Sequence, residues 1–187
     1  MQEEIKKTIE VLRSGGIILY PTDTVWGIGC DATNKKAVKR IFEIKKRVDT
    51  KAMLVLIDNP AKLQAYVEEI PDMAWDLIEL TEKPLTIIYP EAKNLAENVI
   101  ASDGSIAIRI PDDTFCHQLI KSFGKPIIST SANFSGEPSA ISYANISINL
   151  LSQMDYVVQL SQNKIIKSKP SRIVKLNSDG SFIVIRE

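Results

Sequence analysis

Short apolar runs that are rich in β-branched residues alternate with amphipathic segments along most of the sequence. Residues 17–20 and 53–57 are two such runs, and each is typical of a strand buried on both faces. Between them, apolar residues recur at helical spacing over residues 34–46, and a similar pattern over residues 3–14 ends at a Gly-Gly pair. This alternation predicts a layered α/β sheet that is parallel in part.

The rest of the chain continues the pattern. Helices are predicted near residues 60–68, 72–80, 113–123 and 140–152, and strands at residues 85–89, 105–110, 126–130, 156–160, 172–175 and 182–186. The Asp179-Gly180 turn predicts that the last two strands form an antiparallel hairpin. Because 187 residues is the length of one ordinary domain, we expect a single domain over residues 1–187.

Charge and composition exclude several classes of protein. The 23 basic residues equal the 23 acidic residues in number, which argues against a protein that coats nucleic acid. No apolar run reaches the ~20 residues of a membrane helix, and the N-terminus lacks a secretory pattern, so we expect a cytoplasmic protein with no membrane partner. Cys30 and Cys116 form no CxxC pair, and His117 cannot face its neighbour along a helix, so neither a zinc site nor a Cys-His nucleophile is expected.

Polar side chains are concentrated at the ends of predicted strands, where open α/β sheets bind ligands. Thr22, Asp23 and Thr24 directly follow the first buried strand. They are compatible with a small-molecule pocket or with a turn whose side chains satisfy the local backbone. Residues 127–136 turn from apolar residues into hydroxyls and an amide, which could donate hydrogen bonds to a ligand or cap a helix.

Cations stand out at two places in the sequence. Lys45, Arg47 and Lys51 lie at the C-terminal end of the second predicted helix, either as a solvated helix end or as a clamp for phosphate groups. Arg109 lies near the end of an apolar strand, where an uncompensated charge would be expensive to bury, so it needs an anionic partner from the protein or from a ligand. The chain has neither a Walker nor a Rossmann motif. The residues alone therefore indicate an anion-binding α/β protein.

Five sequence blocks, in order along the chain, resemble the YrdC/Sua5 family of threonylcarbamoyl-AMP synthases. They are YPTDTVWGIGCDA, KKRVDTKAMLVLI, KPLTIIYP, SIAIRIPDD and PIISTSANFSGEPSA. The resemblance implies a twisted open mixed sheet with flanking helices around a concave, positively lined cavity, in the short single-domain bacterial form. It also implies that L-threonine, bicarbonate or CO2, and ATP give threonylcarbamoyl-AMP and pyrophosphate, for the t6A modification of tRNA position 37.

The resemblance assigns roles to residues of this chain. Lys45 and Arg47 would be the catalytic cations, and Arg47 and Lys51 would hold the triphosphate together with Mg2+, for which no protein ligand is assigned. The remaining ATP-binding positions would be Ser105, Asn133, Ile141 and Arg186, and the threonine-binding positions Thr24, Arg109, Ser131 and Ser171. Arg172 stands beside Ser171, where the family usually has threonine.

The resemblance also implies partners and leaves alternatives. The product would pass to the tRNA threonylcarbamoyltransferase complex, and weak binding of tRNA or double-stranded RNA is compatible with a basic concave surface. One alternative is a protein of a sister branch that shares the cavity without this activity, and another is an RNA-binding protein of the same fold. The net charge of zero argues against tight, non-specific RNA binding.

Overall fold

Nine strands make up the sheet in the computed structural model, which describes residues 1–46, 53–163 and 170–187. The strands are β1 (Ile18–Tyr20), β2 (Gly27–Gly29), β3 (Leu54–Leu56), β4 (Leu85–Tyr89), β5 (Ile106–Arg109), β6 (Ile127–Ser131), β7 (Tyr156–Val157), β8 (Arg172–Leu176) and β9 (Phe182–Arg186). Within the described ranges their order across the sheet is β7-β1-β2-β6-β3-β5-β4-β8-β9.

The sheet is mixed, as the sequence predicts. The pairs β1/β7, β3/β5 and β4/β8 are parallel, and the other neighbouring pairs are antiparallel. The predicted hairpin at Asp179-Gly180 is confirmed, because β8 and β9 pair antiparallel across it. Gly180 has a φ of 83°, a conformation that glycine adopts without strain.

Helices flank this sheet. They are α1 (Gln2–Arg13), α2 (Lys35–Lys45), α3 (Met73–Leu80), α4 (Thr114–Phe123) and the short α5 (Ile148–Leu151), with 3-10 turns at Pro60–Ala65 and Tyr143–Asn145. Local sequence sets their ends: the Asn34 side chain accepts the backbone N–H groups of Lys36 and Ala37 at the start of α2, and Gly124 ends α4 at a φ of 77°. None of the helices in the described part of the chain is long and apolar enough to cross a membrane.

Two predicted helices differ from the structure, and one strand was not predicted. The helix predicted near residues 60–68 is a 3-10 turn, and the one near 140–152 is reduced to a 3-10 turn and α5. The sequence missed β2, whose Gly-Ile-Gly pattern carries no strand signal. A Cβ on Gly29 would lie 2.6 Å from the Ile128 carbonyl oxygen, so glycine lets the two backbones approach closely here.

The two faces of the sheet are covered to different extents. On one face Ile87, Ile108 and Ile128 join the main core together with α2. Their neighbours in sequence point to the opposite face, because side chains alternate along a strand. Part of that second face is covered by α1 and α4, which pack there through residues such as Leu12 and Leu119. The rest of it is open and forms a cavity.

Candidate functional site

A cavity of about 330 Å3 lies on the open part of the second face, within the size range of small-molecule sites. Its walls carry two arginines and many hydroxyl groups, and its floor is apolar. The polar lining residues are Thr22, Thr24, Thr86, Arg109, Ser129, Thr130, Ser131, Ser139, Ser171 and Arg186. Four of the predicted threonine-binding residues and one predicted ATP-binding residue therefore meet in one place.

Arg109, the last residue of β5, is the most buried cation of this cavity, with 3% of its surface exposed. Its Nη1 donates to the Thr24 hydroxyl at 2.9 Å, and its Nη2 lies 3.2 Å from Asp23 Oδ1, while its Nε has no partner. Asp23 Oδ1 in turn accepts no hydrogen bond. The anionic partner expected for Arg109 is thus a protein carboxylate, through a single contact and not a bidentate pair.

The loop after β1 is shaped by Thr22. Its hydroxyl accepts the backbone N–H groups of Thr24 and Val25, at 3.1 and 3.2 Å, and donates to the Val25 carbonyl at 2.7 Å. The turn interpretation of this segment therefore holds for Thr22. Thr24 differs, because its hydroxyl contacts Arg109 and lines the cavity.

Ser171 and Arg186 form the opposite wall. The Ser171 and Thr86 hydroxyl oxygens lie 2.7 Å apart, and the Arg186 guanidinium donates to the Ser171 carbonyl from Nε at 3.0 Å and from Nη2 at 2.6 Å. Burial, and after it the positive charge of Arg109, lowers the pKa of Arg186. Two guanidinium groups therefore line one cavity, an arrangement that favours an anionic ligand over a cationic one. The exposed Arg172 side chain is outside the lining.

Thr86 is a site residue that the sequence analysis missed. It is buried in β4, opposite Arg109 in the register of β4 and β5. The signal was present, since a threonine interrupts the apolar run of residues 85–89. Ser129, in the hydroxyl-rich segment that the sequence singles out, lines the cavity beside Ser131.

Lys45 ends α2 and is 3% exposed. Its ammonium group donates to the backbone carbonyls of Ser131 and Asn133, at 2.6 and 2.8 Å. These contacts hold the end of α2 against the end of β6 and the loop that follows it. The Asn133 side chain donates its amide N–H groups to the carbonyls of Phe134 and Glu137, at 2.9 and 2.7 Å, which leaves its Oδ1 buried without a partner.

Three predicted ATP-binding residues lie outside the cavity lining, namely Asn133, Ser105 and Ile141. The Ser105 hydroxyl donates to Asp103 Oδ1 at 2.5 Å, and Lys175 pairs with the other oxygen of that carboxylate at 2.8 Å. Lys175 and Ser105 together hold the pKa of Asp103 well below its usual range. Ile141 is 60% exposed on the surface. Arg47 and Lys51 lie outside the described residues.

Comparison with known proteins places this geometry in a family. The family model Sua5/YciO/YrdC, described as "Telomere recombination", matches residues 10–187. A threonylcarbamoyl-AMP synthase of Pseudoalteromonas translucida is 36% identical over 160 residues, which cover 84% of this chain and 86% of that protein.

Solved structures agree. Escherichia coli YciO superimposes with a TM-score of 0.87 at 25% identity, covering 100% of this chain and 90% of that one. P. abyssi Sua5 complexed with L-threonine gives a TM-score of 0.84 at 27% identity over 92% of this chain, and the matched part is 50% of the length of that protein. Because the family model spans nearly the whole chain and the fold agrees, the chain belongs to the Sua5/YciO/YrdC family.

Proposed function

We propose that this protein is an L-threonylcarbamoyladenylate synthase, a nucleotidyltransferase that makes threonylcarbamoyl-AMP and pyrophosphate from L-threonine, bicarbonate or CO2, and ATP. The observation that carries the proposal is the convergence of Thr24, Arg109, Ser131, Ser171 and Arg186 on one cavity. A synthase that is 36% identical and a Sua5 structure that holds L-threonine support this function over RNA binding alone. The product would serve the t6A modification of tRNA in the cytoplasm, through the threonylcarbamoyltransferase complex.

Arg109 would bind the carboxylate of threonine. Its contacts with Thr24 and Asp23 each engage one Nη atom once, so N–H donors of the guanidinium group remain for an incoming carboxylate. The hydroxyl groups of Thr24, Ser131 and Ser171 would then surround the amino-acid side chain and amine, since hydroxyls both donate and accept.

The nucleotide would lie beside the amino acid. The buried Oδ1 of Asn133 has no partner and is an acceptor for an amino or hydroxyl group of the nucleotide. Arg186 would face the phosphate groups, and by family resemblance Arg47 and Lys51 would hold the triphosphate. Lys45 would contribute by holding the loop that carries Ser131 and Asn133. We propose that Mg2+ enters with ATP, because this ion is usually held through substrate phosphates and water.

The proposed chemistry has two steps. The threonine amine adds to CO2 and loses a proton, or condenses with bicarbonate and loses water, to give a carbamate. A carbamate oxygen then attacks the α-phosphorus of ATP. A new P–O bond forms, the bond between the α-phosphorus and the bridging oxygen breaks, and pyrophosphate leaves with the electron pair. The cations of the site would stabilise the negative charge that spreads over the phosphate oxygens in this transition state.

Pyrophosphate release from ATP tests the proposal. We expect release only when threonine and bicarbonate are both present. Valine, which lacks the hydroxyl, should be rejected by orders of magnitude, and serine should lose a factor of about 10. Release that is independent of threonine would contradict the proposal. RNA affinity with a steep salt dependence and no turnover would favour the RNA-binding alternative.

A matched pair of variants assigns the activity to the cavity. Arg186→Gln removes a guanidinium from the wall, so we expect turnover to fall roughly 100-fold. Arg172→Gln removes the same charge from an exposed side chain outside the cavity and should leave turnover unchanged. Equal effects of the two substitutions would show that only overall charge matters.

A further inference from the structure

The hydroxyl group of Thr86 is a buried polar group of the cavity to which no role has been assigned. Thr86 is 2% exposed and lies in β4, on the same face of the sheet as its β5 partner Arg109. Its hydroxyl oxygen is 2.7 Å from that of Ser171, which directly precedes β8, and it has no other hydrogen-bond partner among the described residues. Two hydroxyl groups at this distance share one hydrogen bond, so the second proton is available to a ligand.

The neighbours of Ser171 indicate which hydroxyl donates. Arg186 Nη2 lies 3.5 Å from the Ser171 hydroxyl oxygen and donates to the Ser171 carbonyl at 2.6 Å. A guanidinium at this position favours the orientation in which the lone pairs of the Ser171 oxygen face it and the hydroxyl proton points away. The Thr86 proton, in turn, has the Ser171 oxygen as its acceptor within the described part of the chain. Thr86 is therefore the donor, and the Ser171 proton is directed into the cavity that Ser171 lines.

We propose that Thr86 is a positioning residue that fixes the Ser171 hydroxyl as a hydrogen-bond donor to an oxygen atom of the bound amino acid. This inference rests on the proposed function, in which Ser171 belongs to the threonine site. The carboxylate and side-chain hydroxyl oxygens of threonine accept hydrogen bonds, whereas its ammonium group only donates. The positive charge of Arg186 beside Ser171 also disfavours an ammonium group at this wall of the cavity. A donor at Ser171 therefore suits the oxygen atoms of threonine.

Isothermal titration calorimetry with L-threonine tests this role without depending on turnover. Thr86→Val removes the hydroxyl but keeps the branched shape, which suits a strand. The Ser171 hydroxyl then loses the donor that orients it, so we expect the Kd for threonine to rise roughly 5-fold to 10-fold, the worth of about one hydrogen bond. Thr86→Ser keeps the hydroxyl and should bind threonine within about 2-fold of the unmodified protein.

A double-mutant cycle shows whether Thr86 acts through Ser171. In a Ser171→Ala background, Thr86→Val should weaken threonine binding by less than about 2-fold further, because the hydroxyl that Thr86 orients is already absent. Thr8→Val is the matched control. Thr8 is buried in α1, outside the cavity lining, and its hydroxyl donates to the Glu4 carbonyl at 2.6 Å. This control removes a buried threonine hydroxyl and should leave the Kd for threonine unchanged.

Three results would overturn the proposal: unchanged affinity in Thr86→Val, affinity in Thr86→Ser as weak as in Thr86→Val, or a full effect of Thr86→Val in the Ser171→Ala background. If Thr86→Val does not fold, Thr86→Ala takes its place with the same expectations. Threonine binding without pyrophosphate release would overturn the proposed reaction and leave this inference standing. An unmodified protein that does not bind threonine would overturn both.

Discussion

Removing Arg109 and Asp23 separately and together distinguishes a structural role of this pair from a role in binding substrate. Both side chains are nearly inaccessible, with 2% and 9% of their surfaces exposed. Arg109→Met leaves the Asp23 carboxylate buried without its cation. Breaking a buried pair in this way usually costs about 3–5 kcal/mol, and the single 3.2 Å contact places the expected cost near the lower end, at about 3 kcal/mol.

That cost can be measured by thermal unfolding. For a chain of this size about 3 kcal/mol corresponds to a fall in Tm of roughly 6–12 °C. The double variant Arg109→Met with Asp23→Asn has no buried charge at this point, so we expect it to recover most of the lost stability. Its threonine-dependent pyrophosphate release should stay roughly 100-fold below that of the unmodified protein, because the cation for the substrate carboxylate is still absent.

The outcome of the double variant decides between the roles. Recovery of stability without recovery of activity would assign Arg109 to the substrate. Recovery of both would refute this reasoning, since it would show that Arg109 only neutralises Asp23. A double variant as unstable as Arg109→Met would instead refute the structural half, because the unpaired carboxylate would then not be the source of the loss.

Three further predictions concern the rest of the fold. Burial acts to raise the pKa of Asp155, but hydrogen bonds from Arg40 and from the Ile17 N–H lower it overall. The ionised Asp155 therefore stabilises the fold above pH ~4, and this stabilisation is lost as the pH falls through the lowered pKa. Asp155→Asn should accordingly reduce the dependence of Tm on acid pH. Burial raises the pKa of both Cys30 and Cys116, so a thiol reagent at pH 8 should react only after unfolding in guanidinium chloride. Gly29→Ala should cost about 1–3 kcal/mol in chemical denaturation, because its Cβ would meet a backbone oxygen at 2.6 Å, and a loss below 0.5 kcal/mol would contradict that geometry.

Local periodicity was sufficient to identify most elements. Apolar residues at helical spacing predicted α1, α2, α3 and α4, and short apolar runs predicted eight of the nine strands of the described ranges, within a few residues of their ends. These patterns work because each residue of a helix or strand is buried or exposed according to its position in a regular repeat. β2 was missed because two of its three residues are glycine, whose place depends on the close approach of neighbouring strands.

The candidate site was predictable in its residue types and less so in its contacts. The order of five motifs identified the family, and the four positions that the resemblance assigns to threonine do meet in one cavity. Sequence could not show that Asp23 is the partner of Arg109, because the two residues lie 86 positions apart along the chain. The family resemblance assigns Ser105 to the nucleotide; the structure shows its hydroxyl donating to Asp103, and the assignment stays a prediction.

What the sequence by itself determined is therefore the set of elements, the family, and the chemistry of the side chains available. Only the tertiary structure decided the strand order, which brings Thr86 against Ser171. The physical reason is that periodicity along the chain records whether a residue is buried. Which residues meet depends on pairing between strands distant in sequence, where the main core and the covering helices α1 and α4 select one arrangement.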